Sequence, residues 1–185
     1  KCVWMKIHRG FKSLPLRIKI IKMRFIYIYI LLFQYLFSIN SIAKIGTIYT
    51  VEGHVQIISS DKDIGANKAI VGRTVYSNDI IRTTGNAKCK IIYDDHKTMI
   101  IIDASSEVKL SDTKKSRSIH INYGSSYLRN VSKNRKKTMV FTESSQIKLN
   151  PSQIWINSVI GGGDEVYVIS GDIEVFNYQN KKKSI

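Results

Sequence analysis

Histidine stands first among the residues that could do chemistry, because its side chain can transfer protons and bind metal ions near neutral pH. The sequence has four, at His8, His54, His96 and His120. No two of them have the i, i+4 spacing that places two metal ligands on one helix face. His96 directly follows Asp94 and Asp95, and together they could bind a cation, but an acidic hairpin turn accounts for the same residues. The pattern therefore predicts no metal site.

Other groups for catalysis or cofactor binding are equally sparse. The sequence has no Gly-x-Ser-x-Gly nucleophile elbow. Gly161-Gly162-Gly163-Asp164 resembles one fragment of a calcium-binding β-roll repeat, but such sites need stacked copies and the chain has a single one. The same glycines precede no predicted helix, so they do not form a dinucleotide-binding fingerprint. We therefore predict a protein that is not an enzyme and that binds no cofactor.

The single cysteine of the chain after its N-terminal leader is Cys89, since Cys2 lies in the leader. Without a partner in the same domain it forms no internal disulfide bond. Free cysteine is among the most buried residue types. Cys89 is therefore predicted to be a core thiol.

Short apolar runs separated by turns dominate the chain, most clearly between Val71 and Leu110. Runs rich in Ile, Val, Thr and Tyr that are bounded by Gly, Asn, Asp and Ser are typical of β-strands. Ala87, Cys89 and Ile91 alternate with lysines, which indicates one buried and one solvated face. No window after Lys44 has sustained helical periodicity. The sequence predicts a single all-β domain of about a dozen short strands, with rolled, sandwich and solenoid-like arrangements all open.

Strand alternation also predicts the core of this domain. The predicted core residues are Val55, Ile57, Ile80, Cys89, Ile91, Ile101, Val108, Ile121, Val140, Ile154, Val168, Ile173 and Val175.

The order of glycines, acidic turns and strands in this region resembles the FecR domain. Residues 79–83, Asp-Ile-Ile-Arg-Thr, stand where that family usually has Gly-Asp-x-Ile-x-Thr, with Asn78 in place of the glycine. Asp94-Asp95-His96 stands at the family's Asp-Gly-Ser turn, again without the glycine. The resemblance covers residues 45–177, and the positions that carry it are Gly46, Gly53, Gly72, Asp79, Ile80, Thr83, Asp94, Asp95 and Gly171.

The resemblance implies a structural role for these positions and a place in the bacterial cell envelope for the protein. FecR-domain proteins occur in the envelope, and some of them sense iron–siderophore uptake and regulate sigma factors. The sigma-factor regulators carry a cytoplasmic segment of some tens of residues before a membrane helix. This chain has 24 residues ahead of Phe25.

The N-terminal region has the features of a secretion signal. Arg17, Lys19, Lys22 and Arg24 precede an apolar run over residues 25–37, and Ser41-Ile42-Ala43 supplies small residues for a signal peptidase. We therefore predict a hydrophobic signal helix within residues 23–43, a mature domain over 44–177 and a basic disordered tail over 178–185. Because the chain starts with Lys1 and Met23 would make an ordinary start, residues 1–22 are predicted to be upstream sequence. The alternative is an uncleaved inner-membrane anchor over residues 25–42.

Basic residues are unevenly distributed. The formal net charge of +15 falls to +7 from Lys44 onward, because residues 1–43 carry eight basic and no acidic side chains. In the predicted domain the basic side chains cluster in two loops, at Lys114, Lys115 and Arg117 and at Lys133, Arg135, Lys136 and Lys137. These clusters predict contact with an envelope protein or an anionic envelope surface. A secreted chain does not ordinarily meet nucleic acid, so no nucleic-acid partner is predicted.

These observations favour a non-catalytic binding or scaffold module that is periplasmic or secreted. The first alternative is a FecR-type sensor that relays a signal to an extracytoplasmic sigma factor. The second alternative is a surface polysaccharide-binding β-domain. Contact with the membrane is expected only through the leader, if it stays uncleaved.

Overall fold

The computed structural model of the protein describes residues 43–59, 65–131, 136–177 and 180–184. The chain divides into two units, Lys1–Ser41 and Ile42–Ile185, and the described residues belong to the second. The predicted signal helix and the predicted upstream extension lie outside the described residues, apart from Ala43. Within the described ranges, no helix is long and apolar enough to cross a membrane.

The prediction of an all-β domain is confirmed, because the described residues form thirteen strands and no helix. In chain order the strands are β1 (Lys44–Glu52), β2 (Val55–Ile58), β3 (Ala66–Lys68), β4 (Thr74–Tyr76), β5 (Ile80–Thr83), β6 (Lys88–Tyr93), β7 (Thr98–Ile102), β8 (Glu107–Asp112), β9 (Ser116–Asn130), β10 (Lys137–Phe141), β11 (Ser145–Ser158), β12 (Asp164–Asn177) and β13 (Asn180–Ser184). All thirteen are joined in one sheet.

The sheet is a stack of rungs, each with two arms that meet at a corner. Three rungs each consist of two short strands that follow one another in the chain, namely β1 and β2, β5 and β6, and β7 and β8. Three further rungs are single long strands that run through both arms: β9, β11 and β12, with 15, 14 and 14 residues. In the first arm the strands neighbour one another in the order β4, β1, β6, β7, β9, β11, β12. In the second arm the order is β3, β2, β5, β8, β9, β10, β11, β12, β13. Every pair is antiparallel except β9–β10.

Glycine occupies the corner in β9 and in β12, two of the three long strands. Gly124 in β9 has a φ of 89°, and a Cβ there would lie 2.2 Å from the Ser106 hydroxyl oxygen. Gly171 in β12 has a φ of 82°, and a Cβ there would lie 2.1 Å from the carbonyl oxygen of Pro151. Only glycine combines a positive φ with such a close approach of two backbones. The corners are therefore set by residues without a side chain.

Hydroxyl side chains complete the hydrogen bonding at the corner, where backbone groups leave the strand ladders. Thr83 Oγ1 donates to the carbonyl of Asp103 at 2.5 Å and accepts from the backbone N–H of Ser106 at 3.0 Å. The Ser106 hydroxyl oxygen in turn accepts from the N–H of Ser125 at 2.9 Å. Neighbouring rungs are thereby linked through side chains as well as through their ladders.

Two further motif positions, Asp79 and Gly46, contribute to turn closure and strand packing. The buried carboxylate of Asp79 accepts from the N–H of Tyr76 at 2.8 Å and closes the turn before β5. Asn78, which stands where the FecR pattern has glycine, has a φ of 75°. Asparagine tolerates this left-handed conformation better than most residues, which explains how the glycine is replaced. Gly46 permits close strand approach, because a Cβ there would lie 2.5 Å from the carbonyl oxygen of Ile92.

One core cluster lies inside the corner and receives side chains from both arms. Of the predicted core residues, nine are buried, namely Val55, Ile57, Cys89, Ile91, Val108, Ile121, Val140, Ile154 and Ile173, and Val175 is partly buried against them. The prediction is wrong for Ile80 and Ile101, because their neighbours Ile81, Ile100 and Ile102 point inward instead. It is also wrong for Val168, which is 36% exposed at the edge of the sheet.

The basic tail differs from the predicted disordered segment. Residues Asn180–Ser184 form β13, which pairs antiparallel with the end of β12 through Val175↔Lys183 and Glu174↔Ser184. Pairing with an existing strand supplies backbone hydrogen bonds that a tail of lysines would not make alone. The end of β12 is therefore covered on its outer side.

Candidate functional site

Among the residues that the structure describes, the histidine and acidic side chains do not form a metal-binding cluster. Within the described ranges, no group of three or more His, Cys, Asp or Glu side chains could hold a metal ion. His96 lies in the turn after β6 with a φ of 52°. There the Asp95 carboxylate accepts from the N–H groups of Lys97 at 2.9 Å and Thr98 at 2.8 Å. These acidic residues therefore close a hairpin turn.

Cys89 is buried on β6, and burial raises the pKa of its thiol to about 12. A thiol held protonated in an apolar core is a poor nucleophile. Cys89 therefore packs as a small apolar side chain.

His120 lines a surface cavity of about 330 Å³ on the outer face of the second arm. Its ring stacks on Phe141 with the ring centres 4.7 Å apart. Burial and the nearby charge of Lys109 lower the pKa of His120. Glu143, at the rim, accepts a hydrogen bond from the N–H of Gly161 at 2.9 Å. The cavity therefore combines an aromatic surface with the Glu143 carboxylate at its rim.

The structure places only some of the predicted basic contact residues together on the surface. Lys114 and Lys115 are exposed in the turn between β8 and β9, and Lys137 is exposed at the start of β10. The N–H of Lys137 donates to the carbonyl of Lys115 at 3.3 Å, so the structure brings these positions together. Lys133 and Arg135 lie outside the described residues.

Arg117 differs from the prediction, because its side chain is 5% exposed and cannot act as a surface contact. The guanidinium lies 3.9 Å from the ring centre of Tyr93. Its Nη1 atom donates to Asp95 Oδ2 at 3.0 Å, and Nη2 lies 3.4 Å from Asp112 Oδ2. Arg117 is buried because every second residue of this part of β9 points to the inner face, and Arg117, Ile119 and Ile121 are those residues. This alternation was the signal in the sequence that could have placed Arg117 inside.

Asp95 stays ionised beside this arginine. Burial alone would raise the pKa of Asp95, but the N–H groups of Lys97 and Thr98 and the charge of Arg117 outweigh it and hold the pKa below its usual range. Lys136, predicted as a surface contact, instead pairs with Asp112 and is 29% exposed. A cavity of about 270 Å³ beside this group is lined by Arg117, Lys136 and the carboxylates that neutralise them. The charges are paired with one another, so the group is a structural ion-pair cluster.

An aromatic and apolar row crosses the outer face of the first arm, and we refer to this surface as the Trp155 face. Its members are direct cross-strand neighbours, following Lys90↔Ile101, Ile101↔Tyr127, Tyr127↔Trp155 and Trp155↔Tyr167. The row ends in Tyr167, which is 59% exposed. At its other end Lys90 lies 4.9 Å from the ring centre of Tyr49, within cation–π distance. The Trp155 face therefore extends across five strands.

One row beside this apolar row is polar, and the row on its other side contains both polar and apolar side chains. On one side Lys88 pairs with Asp103 at 3.6 Å. Along the same side the Asn157 amide accepts from the Ser125 hydroxyl at 2.9 Å. On the other side the Tyr127 hydroxyl donates to Gln153 at 2.7 Å. An apolar centre with a polar rim is the usual anatomy of a protein-recognition surface. The registers of the strands make these aromatic residues neighbours.

No protein-family model matches the sequence, and no curated protein matches it. Among solved structures, two crystal structures of a candidate anti-sigma factor from Parabacteroides distasonis, at 1.65 and 2.50 Å resolution, are similar to this chain. They are 14% and 15% identical to it, with a TM-score of 0.51 for each. The match covers 57% of this chain and 50% of that protein, so the chain matches about half the length of its structural neighbour. The comparison shows a shared fold.

Proposed function

We propose that this protein is a non-catalytic binding or scaffold module of the bacterial envelope, of the FecR type. It acts through contacts with an envelope protein or with an anionic envelope surface. The observation that carries the proposal is the Trp155 face, where Tyr127, Trp155 and Tyr167 form an outward row with polar side chains beside it. Aromatic side chains on such a surface are the residues that most often carry binding energy. The proposed periplasmic or secreted location rests on the predicted signal sequence and on the FecR resemblance.

The exposed lysines add an electrostatic component to this proposal. Lys114, Lys115 and Lys137 lie together at one end of the β8–β9–β10 region and are exposed. An interaction that depends on exposed charges is screened at an ionic strength of 0.15 M over about 8 Å and weakens further as salt rises. Binding to an anionic partner should therefore be sensitive to salt.

A pull-down from envelope extract at low and high salt tests the proposal. One variant replaces Trp155 and Tyr167 by Ser, which removes the centre of the Trp155 face without touching the core. A second variant replaces Lys114, Lys115 and Lys137 by Gln. Its matched control replaces Lys68, Lys97 and Lys109 by Gln, so that the same charge is lost from scattered positions.

We expect the Trp155/Tyr167 variant to lose partners at both salt concentrations. The clustered lysine variant should lose them mainly at low salt, while the control retains them. A set of partners unchanged in both test variants would contradict the proposal. Detectable turnover of envelope substrates by the purified protein would also contradict its non-catalytic part.

A sensor that relays a signal to an extracytoplasmic sigma factor is the second candidate function. The fold that the chain shares with a candidate anti-sigma factor favours it. Deleting the gene should then change the transcripts controlled by one extracytoplasmic sigma factor. Unchanged transcripts under conditions in which the protein is expressed would leave the scaffold function as the better explanation.

A further inference from the structure

The first half of β12 is a free strand edge. Strand β12 pairs with β11 from Asp164 to Asn177, but on its other side β13 pairs only with Glu174, Val175 and Asn177. In the described part of the chain, no strand pairs with the outer edge of residues 164–170. By contrast, the strands β4 and β3 that end the sheet elsewhere have three residues each. Short edge strands offer little template for another strand, whereas seven residues offer a long one.

The same segment concentrates exposed apolar side chains. Within the described ranges, ten large hydrophobic side chains are exposed. Three of them, Tyr167, Val168 and Ile169, lie in this segment, and two more, Val159 and Ile160, lie in the turn just before it. Residues 159–170 contain no Lys, Arg or Pro, the residues that usually protect an edge from pairing. A free edge that is mostly apolar and has no Lys, Arg or Pro is expected to be covered in the assembled protein.

The charge pattern of the edge points to a second copy of this chain as its occupant. The charged residues of the segment, Asp164 and Glu165, lie at one end, and the other end is the uncharged Ser170. In an antiparallel pair centred on Tyr167, Glu165 faces Ile169 of the other copy and Asp164 faces its Ser170. A parallel pair would place the carboxylates of the two copies side by side, which is unfavourable.

We propose that two copies associate by antiparallel pairing of their β12 edges about Tyr167. The three central pairs are Val166 with Val168, Tyr167 with Tyr167, and Val168 with Val166. All three residues precede the β-bulge at Ile169, so the pairing uses regular strand. Val168 becomes covered on the inner side, and the two Tyr167 rings extend the Trp155 face into the second copy.

This association responds to salt in the opposite sense from the basic cluster. Each copy carries a formal charge of +7 from Lys44 onward, so the two copies repel at long range. Added salt screens that repulsion and should strengthen the dimer. Binding of an anionic partner through the lysines should weaken instead, so the two proposals can fail separately.

Disulfide trapping tests the pairing. Directly opposed residues of antiparallel strands have Cα atoms about 4.5–5.5 Å apart, which is within the range of about 4.4–6.8 Å that a disulfide spans. We would introduce Tyr167→Cys in a Cys2→Ser background, where Cys89 stays buried. The matched control is Tyr49→Cys on β1, since the two tyrosines are 59% and 57% exposed.

Mild oxidation should link most of the Tyr167→Cys protein as a dimer, with more at higher salt, and should leave the control monomeric. Adding Val168→Lys should reduce the link several-fold while the circular dichroism spectrum stays unchanged. Equal trapping at positions 49 and 167 would overturn the proposal. So would a wild-type protein that sediments as a monomer at all concentrations and salts.

Discussion

Replacing Arg117 by Met should strongly destabilise the domain, because the arginine neutralises two carboxylates in a largely buried place. Asp112 is 9% exposed and Asp95 is 20% exposed, and both lie within 3.4 Å of the guanidinium. Removing one partner of a buried ion pair costs about 3–5 kcal/mol, since the remaining charge is left uncompensated. In the variant, Asp112 still pairs with Lys136, and Asp95 still accepts hydrogen bonds from two backbone N–H groups. The expected loss of stability is therefore at the lower end of this range, about 3 kcal/mol.

Urea unfolding followed by circular dichroism measures this loss. A total stability of about 5–15 kcal/mol is usual for a domain. With a slope of about 2 kcal/mol per molar urea, the midpoint should fall by about 1.5 M. Arg129→Met is the matched control, because Arg129 is exposed on the Trp155 face and should change stability by less than about 0.5 kcal/mol.

A compensated variant separates the charge effect from lost packing. Adding Asp95→Asn and Asp112→Asn to Arg117→Met removes the uncompensated negative charges and should recover part of the stability. If Arg117→Met lowered the free energy of unfolding by less than about 1 kcal/mol, as is usual for an exposed ion pair, this reasoning would be refuted. Arg117 would then be solvated and available to an external anion, as the sequence analysis predicted.

Three further predictions use the same unfolding measurement. Ile91→Asp should unfold the domain, because an unpaired carboxylate in the core costs several kcal/mol, whereas Ile92→Asp on the outer face should leave it folded. Gly171→Ala should cost several-fold more than Gly161→Ala, because both have positive φ but only position 171 has backbone within 3 Å of the new Cβ; equal losses would contradict this. Because the pKa of Asp95 is lower in the folded than in the unfolded protein, its ionised carboxylate stabilises the fold at pH values above about 4. This stabilisation is lost as the pH falls through the pKa that Asp95 has in the folded protein. Asp95→Asn should therefore make the free energy of unfolding depend less on pH in the acidic range.

Much of the fold could be predicted from the sequence because strand formation is a local property. Short runs of β-branched residues between turn residues indicated the all-β class, and the Ala87–Ile91 alternation correctly placed Cys89 and Ile91 inside. The prediction assigned the wrong residues to the buried face in runs of consecutive isoleucines. At Ile80-Ile81 and across 100–102 every residue is apolar, so alternation carries no signal and only packing against the other arm decides which side chain is buried.

The candidate sites depended more on tertiary structure. Arg117 has the appearance of a loop cation in the sequence, but β9 continues through it and directs its side chain to Asp95 and Asp112. The Trp155 face could not be predicted either, because Tyr127, Trp155 and Tyr167 become neighbours only through the registers of three strands that are far apart in sequence. Composition and alternation act along the chain, and therefore determine which residues form strands and, where apolar and polar residues alternate, which face each side chain takes. Register acts between strands, and only the folded sheet decides which of those side chains meet.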